Sequence, residues 1–207
     1  LEFEVIKNGV FSYEGASTIG VGSGVAIDPI TGYIWTAYDD GTNTFAKIYN
    51  PSTDALIASI NLGVSNNYGH LSIIYADSSR TFWIGQDNNT FAAGYVITIV
   101  DPDSMSVLLV SDTDYGGVTD HPGACLAYNA DMQQIYLGLS NGISYGVLAI
   151  REYDYDNMAR VTDDFGVVQY IPLPNWVFSQ ITMPDISRVA FIGYGNWISI
   201  VNTQAGF

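Results

Sequence analysis

AKIYNP at 46–51, ITIVDP at 97–102, LAIREY at 148–153 and ISIVNT at 198–203 are four versions of one phrase. Each is a strand pattern running into a turn. Aligned on the shared isoleucine, they give Ile48, Ile99, Ile150 and Ile200, at spacings of 51, 51 and 50 residues. A fixed period of this size marks a repeat architecture, in which one supersecondary unit recurs and buries its apolar faces only by stacking on its neighbours.

Upstream of each phrase lies a second recurring form: GVAIDPITGYIW (24–35), LSIIYADSSRTFWIG (71–85), ACLAYNADMQQIYLG (124–138) and SQITMPDISRVAFIG (179–193). Each reads as strand, turn, strand, with turn formers such as Asp28–Gly32 between the apolar runs. The second strand carries an aromatic: Trp35, Trp83, Tyr136 or Phe191, at spacings of 48, 53 and 55. Recurring at matching positions, these four are expected in the core between units.

Downstream of the phrase comes a fourth strand: ALIASINLG (55–63), SVLLVSD (106–112) and GVVQYIPLP (166–174). The third unit carries an insertion before it, DYDNMARVTDD at 154–164. The last unit stops after its third strand. LEFEVIKNG at 1–9 is similar to ALIASINLG, and the count from Ile200 through the C-terminus and on to Ile48 is 55 residues. Strand 1–7 is therefore expected to pair with the strand around 197–202 and complete the last unit. Four-stranded units of this length repeated about an axis make a β-propeller. The reading is all-β: one domain over 1–207, a four-bladed β-propeller with the N-terminal strand closing the last blade. The alternative is that these blades are a slice of a longer chain.

The phrases DPITGYIWTAYDDGTNTFAKIYNPSTDALIASINLG and LSIIYADSSRTFWIG…VITIVDPDSMSVLLV resemble propellers of the YVTN type. That likeness covers almost the whole chain and departs at Arg151–Asp164 in the third blade. It implies the fold and no particular activity, although some propellers of this type carry hydrolase or lyase sites.

Composition narrows the function. The 15 Tyr and 21 Gly suit strands and tight turns. Six Lys and Arg against 21 Asp and Glu give a net charge of −15, which repels phosphate backbones and makes nucleic acid an unsuitable partner. No run of 18 apolar residues exists, so no membrane-spanning helix is expected. Beginning at Leu1, the sequence reads as a processed or excised product, or one whose start is not included. Cys125 is the only cysteine; it lies in the apolar phrase ACLAY and reads as a buried small hydrophobe.

In a propeller, loops joining the second to the third strand and the fourth to the next first strand share one face. Here they are long and polar, and they place Tyr38, Asp39, Asp40, Asp87, Asn88, Asn89, Tyr115, His121, Trp176 and Tyr194 on one rim. Aromatic planes beside amides and carboxylates suit sugars or peptide segments. The plain alternative is a solvated loop face rich in turn formers. Asp112, Asp114 and Asp120 surround two glycines and offer oxygen ligands of the kind Ca2+ needs, although no Glu closes a full calcium loop. His70 and His121 lie 51 residues apart, one period, but two histidines make a poor transition-metal site. No nucleophile elbow, zinc-protease helix, phosphate loop or dinucleotide fingerprint occurs. The expected function is a non-enzymatic extracellular or virion-surface module. It binds carbohydrate or a protein partner through the loop-rich face, with no nucleic acid and no membrane insertion. The rival readings are a hydrolase or lyase using rim carboxylates such as Asp39 or Asp40 with Asp87, and an assembly subunit of a larger particle.

Overall fold

The computed structural model describes the backbone of residues 4–7, 10–13, 24–64, 71–86, 95–113, 126–131, 133–140, 145–151, 170–173, 177–183, 188–193 and 197–202. Side-chain environments are described for 24–63, 71–85, 97–110, 126–131 and 133–136. Every regular element among the described residues is a β-strand.

The first repeat forms β3 (Val25–Ile27), β4 (Ile34–Asp39), β5 (Asn43–Asn50) and β6 (Ala55–Val64), preceded by β1 (Glu4–Lys7) and β2 (Val10–Tyr13). The second forms β7 (Leu71–Ala76), β8 (Thr81–Gln86), β9 (Tyr95–Asp101) and β10 (Ser106–Thr113). The third forms β11 (Leu126–Asn129), β12 (Gln134–Ser140), β13 (Tyr145–Arg151) and β14 (Tyr170–Leu173). The fourth forms β15 (Val177–Met183), β16 (Arg188–Gly193) and β17 (Trp197–Asn202). Each repeat is one antiparallel meander with strands in chain order, four-stranded three times and three-stranded in the last. The expected hairpins are all present, as are the fourth strands of the first three repeats.

The sheets follow one another through their first strands. Strand β7 lies against β3 and β4, β11 against β7 and β8, and β15 against β11 and β12. At the first of these joints Gly24 meets the backbone of Ser72 and Ile73 so closely that a Cβ would overlap the Ile73 nitrogen. Only glycine permits that approach.

Sequence explains the turns. In the first hairpin the Asp28 carboxylate accepts from the Ile30 amide (2.9 Å) and the Thr31 hydroxyl (2.5 Å), and Gly32 takes a positive φ of 73°. Between third and fourth strands, Asn50 Oδ1 accepts from Ser52 N–H at 2.9 Å, and Asp101 Oδ1 accepts from Asp103 N–H at 3.0 Å. These are Asx turns, in which a short polar side chain mimics the backbone.

The core bears out the expected placing of three of the four second-strand aromatics, and the side chain of Phe191 lies outside those described. Trp35, Trp83 and Tyr136 are all buried. Trp35 stacks on Phe82 of the next sheet, and Tyr75 tilts against the same ring at 5.1 Å. The polar tip of each aromatic is handled locally. Trp83 Nε1 donates to Thr81 Oγ1 at 3.0 Å, and the Tyr136 hydroxyl donates to Gln134 Oε1 at 2.7 Å, both partners two residues earlier on the strand. In the fourth repeat the aromatic is Phe191, with no polar tip, and the residue two earlier is Val189. The first repeat breaks the pattern: position 33 is Tyr, and the buried Trp35 indole N–H has no hydrogen-bond partner among the described residues.

Two expectations are corrected. Strand β1 pairs with β2, from Glu4 opposite Tyr13 to Lys7 opposite Val10, and not with the strand around 197–202. The two residues between β1 and β2 are Asn8 and Gly9, the strongest short-range hairpin signal, and a contact closed over two residues costs far less entropy than one closed around a ring. The isoleucine alignment is also offset in the second half. Ile48 opposes Trp35 and Ile99 opposes Trp83, but Ala149 opposes Tyr136 and Ser199 opposes Phe191. Ile150 and Ile200 sit one position further on, opposite Ile135 and Ala190, and a one-residue offset moves a residue to the other face of a sheet.

Candidate functional site

The strand order places two kinds of connection at opposite ends of the sheets. At one end the first-to-second and third-to-fourth connections have four to six residues: 28–33, 51–54, 77–80, 102–105, 130–133 and 184–187. The exception is 152–169, which contains the insertion. At the other end are 40–42, 65–70, 87–94, 114–125, 141–144, 174–176 and 194–196. This second end is where the sequence leads to long loops: 65–70, 87–94 and 114–125 have six to twelve residues, and the other four have three or four.

Its described part is the hairpin joining β4 to β5. Tyr38 pairs with Phe45 and Asp39 with Thr44, so the turn is carried on a rigid ladder. Gly41 N–H donates to Asp39 Oδ1 at 2.7 Å, and Gly41 takes a φ of 87°. Asp40 Oδ1 accepts from both Thr42 N–H (2.8 Å) and Asn43 N–H (2.7 Å). The Asn43 and Thr42 amides, with a smaller contribution from Lys47, hold the Asp40 carboxyl below its ordinary range. Asp39 is buried and Asp40 exposed. Both acids therefore shape the turn, and Asp40 is ionised at neutral pH, the wrong state for a general acid.

The side chain that the sequence reading missed is Lys47. Its Nζ lies 4.0 Å above the centre of the Tyr38 ring. Lys47 opposes Thr36, one diagonal step from Tyr38 on the same face, so strand alternation alone could have found the pair. Tyr38, Asp39 and Asp40 are thus brought together. Asp112 lies within β10, opposite Val96. Asp87, Asn88, Asn89, Tyr115, His121, Trp176 and Tyr194, the metal candidates Asp114 and Asp120, and also His70 and Cys125, lie outside the described residues. No group of three metal-ligating side chains occurs among the described residues.

At the opposite end, polar side chains link neighbouring turns. Arg80 Nη2 donates to both Asp103 oxygens at 3.1 Å, linking the two turns of the second sheet. Ser78 joins the second sheet to the third: its amide donates to the Tyr128 hydroxyl at 3.4 Å and its Oγ accepts from Gln133 Nε2 at 3.0 Å. The Ser78 contacts tie the second sheet to the third.

No family model and no curated protein matches the sequence. Solved structures do match in fold. A structure of Kuenenia stuttgartiensis hydrazine synthase superposes with a TM-score of 0.60 at 14% identity, over 86% of this chain and 58% of that one. A structure of a nidogen/laminin complex gives 0.62 at 10% identity, over 97% of this chain and 70% of that one. The β-propeller domain of Cps50 (Swd1) from Myceliophteria thermophila gives 0.61 at 12% identity, over 96% and 62%. The chain thus spans between 58% and 70% of the length of these structures. The fold resemblance is to β-propellers, as the repeats implied.

Proposed function

We propose that the chain is a non-enzymatic binding module of four blade units, one domain over 1–207, that engages a protein partner through its loop-rich face. The observation that carries this is the asymmetry of the connections. Three connections of six to twelve residues, 65–70, 87–94 and 114–125, gather at one end of the sheets, whereas apart from 152–169 the connections at the other end have four to six. Ordering long loops costs entropy that a pure scaffold has no use for, whereas a recognition face does. The described loop supports the reading: it is a fixed hairpin presenting Tyr38 and Lys47 beside a turn whose acids are already engaged. Propellers among the structural neighbours include one solved in a nidogen/laminin complex. An extracellular or virion-surface setting, glycan as an alternative ligand, and Ca2+ at Asp112, Asp114 and Asp120 belong to the same proposal. The test is binding to protein and glycan arrays with variants of each face. Tyr115→Ala and Trp176→Ala should each weaken binding by about 1–3 kcal/mol if those rings are anchors. Normal binding by both, with loss on replacing 154–164, would place the working surface at the other end.

A further inference from the structure

We draw no further inference here: the strongest candidate, the surface patch of exposed apolar side chains Leu56 and Ile57 on the outermost strand β6 of the first sheet and Val107, Leu108 and Val110 on the outermost strand β10 of the second, is an unpartnered apolar surface, and nothing in the structure shows what covers it.

Discussion

Trp35 and Phe82 stack across the joint between the first and second sheets, with ring centroids 4.1 Å apart and planes inclined by 16°. Both rings are fully buried, and Tyr75 closes the cluster from the side. One aromatic comes from the second strand of one repeat and the other from the same strand of the next, one residue before Trp83. The joint between the first and second repeats is therefore a ring stack. Phe82→Ala should cost about 3–5 kcal/mol by the loss of transfer energy and the cavity left behind. Urea unfolding checks this; a loss below about 1 kcal/mol would mean that the sheets are not held through this stack.

Trp83 depends on Thr81 for its indole partner, at 3.0 Å in a buried site. Thr81→Val keeps the shape and removes the acceptor. It should cost about 1–3 kcal/mol, the penalty of a buried donor left unpaired. Trp35 already lacks a partner among the described residues, so substituting Tyr33, two residues before it, should show no such hydrogen-bond loss. Comparing the two sites by chemical denaturation isolates the hydrogen bond from the packing.

Gly24 sets the spacing of the first two sheets. In Gly24→Ala the new methyl group would overlap the Ile73 backbone nitrogen, which cannot swing aside as a side chain can. Separating the strands should cost about 1–3 kcal/mol, the usual range for overpacking. A melting temperature equal to that of the parent protein would show that the joint is looser than its geometry.

Acid should loosen the turn between β9 and β10. The Ser104 hydroxyl first, then the Asp103 and Ser104 amides and the Arg80 charge, hold the Asp101 carboxyl below its ordinary value of 3.8, against the opposing effect of burial. A lowered folded-state value means that the stabilisation is full above the ordinary value and is lost as pH falls through the folded one. Stability of the parent should therefore drop below about pH 4, and Asp101→Asn should show a shallower acid slope. Thermal melts from pH 7 to pH 2 check the difference between the two.

Calcium offers a test of the acidic phrase that begins in β10. If Asp112, Asp114 and Asp120 hold the ion, a chelator should lower the melting temperature and millimolar calcium should restore it. Asp112→Asn should abolish the difference. Identical melts with and without chelator identify a solvated acidic loop.

Much of the fold was legible because its causes are local. Alternating apolar residues between Asp, Asn and Gly turns specify each hairpin within a dozen residues, and the period of about 50 specifies that the hairpins stack. The aromatics Trp35, Trp83 and Tyr136 could be placed in the core for the same reason: only an interior position asks for a large ring in every repeat. The candidate site was legible as a face, since strand order alone sorts the connections to two ends. Its chemistry was not. Asp39 and Asp40 look like free carboxylates in the sequence, yet they accept amides of their own turn, and Lys47 meets Tyr38 only once β4 and β5 are in register.

What the sequence by itself determined is the strand count of the first three repeats, the turns between their strands and the positions of the rings Trp35, Trp83 and Tyr136. What only the tertiary structure decided is which strand faces which. The partner of residues 4–7, the one-residue offset of Ile150 and Ile200, and the exposure of Val25 and Ile27 all depend on remote surfaces. Period-two side-chain alternation leaves two registers equally well patterned, and the choice between them is made by packing against the neighbouring sheet and by the lower entropy cost of the shorter loop.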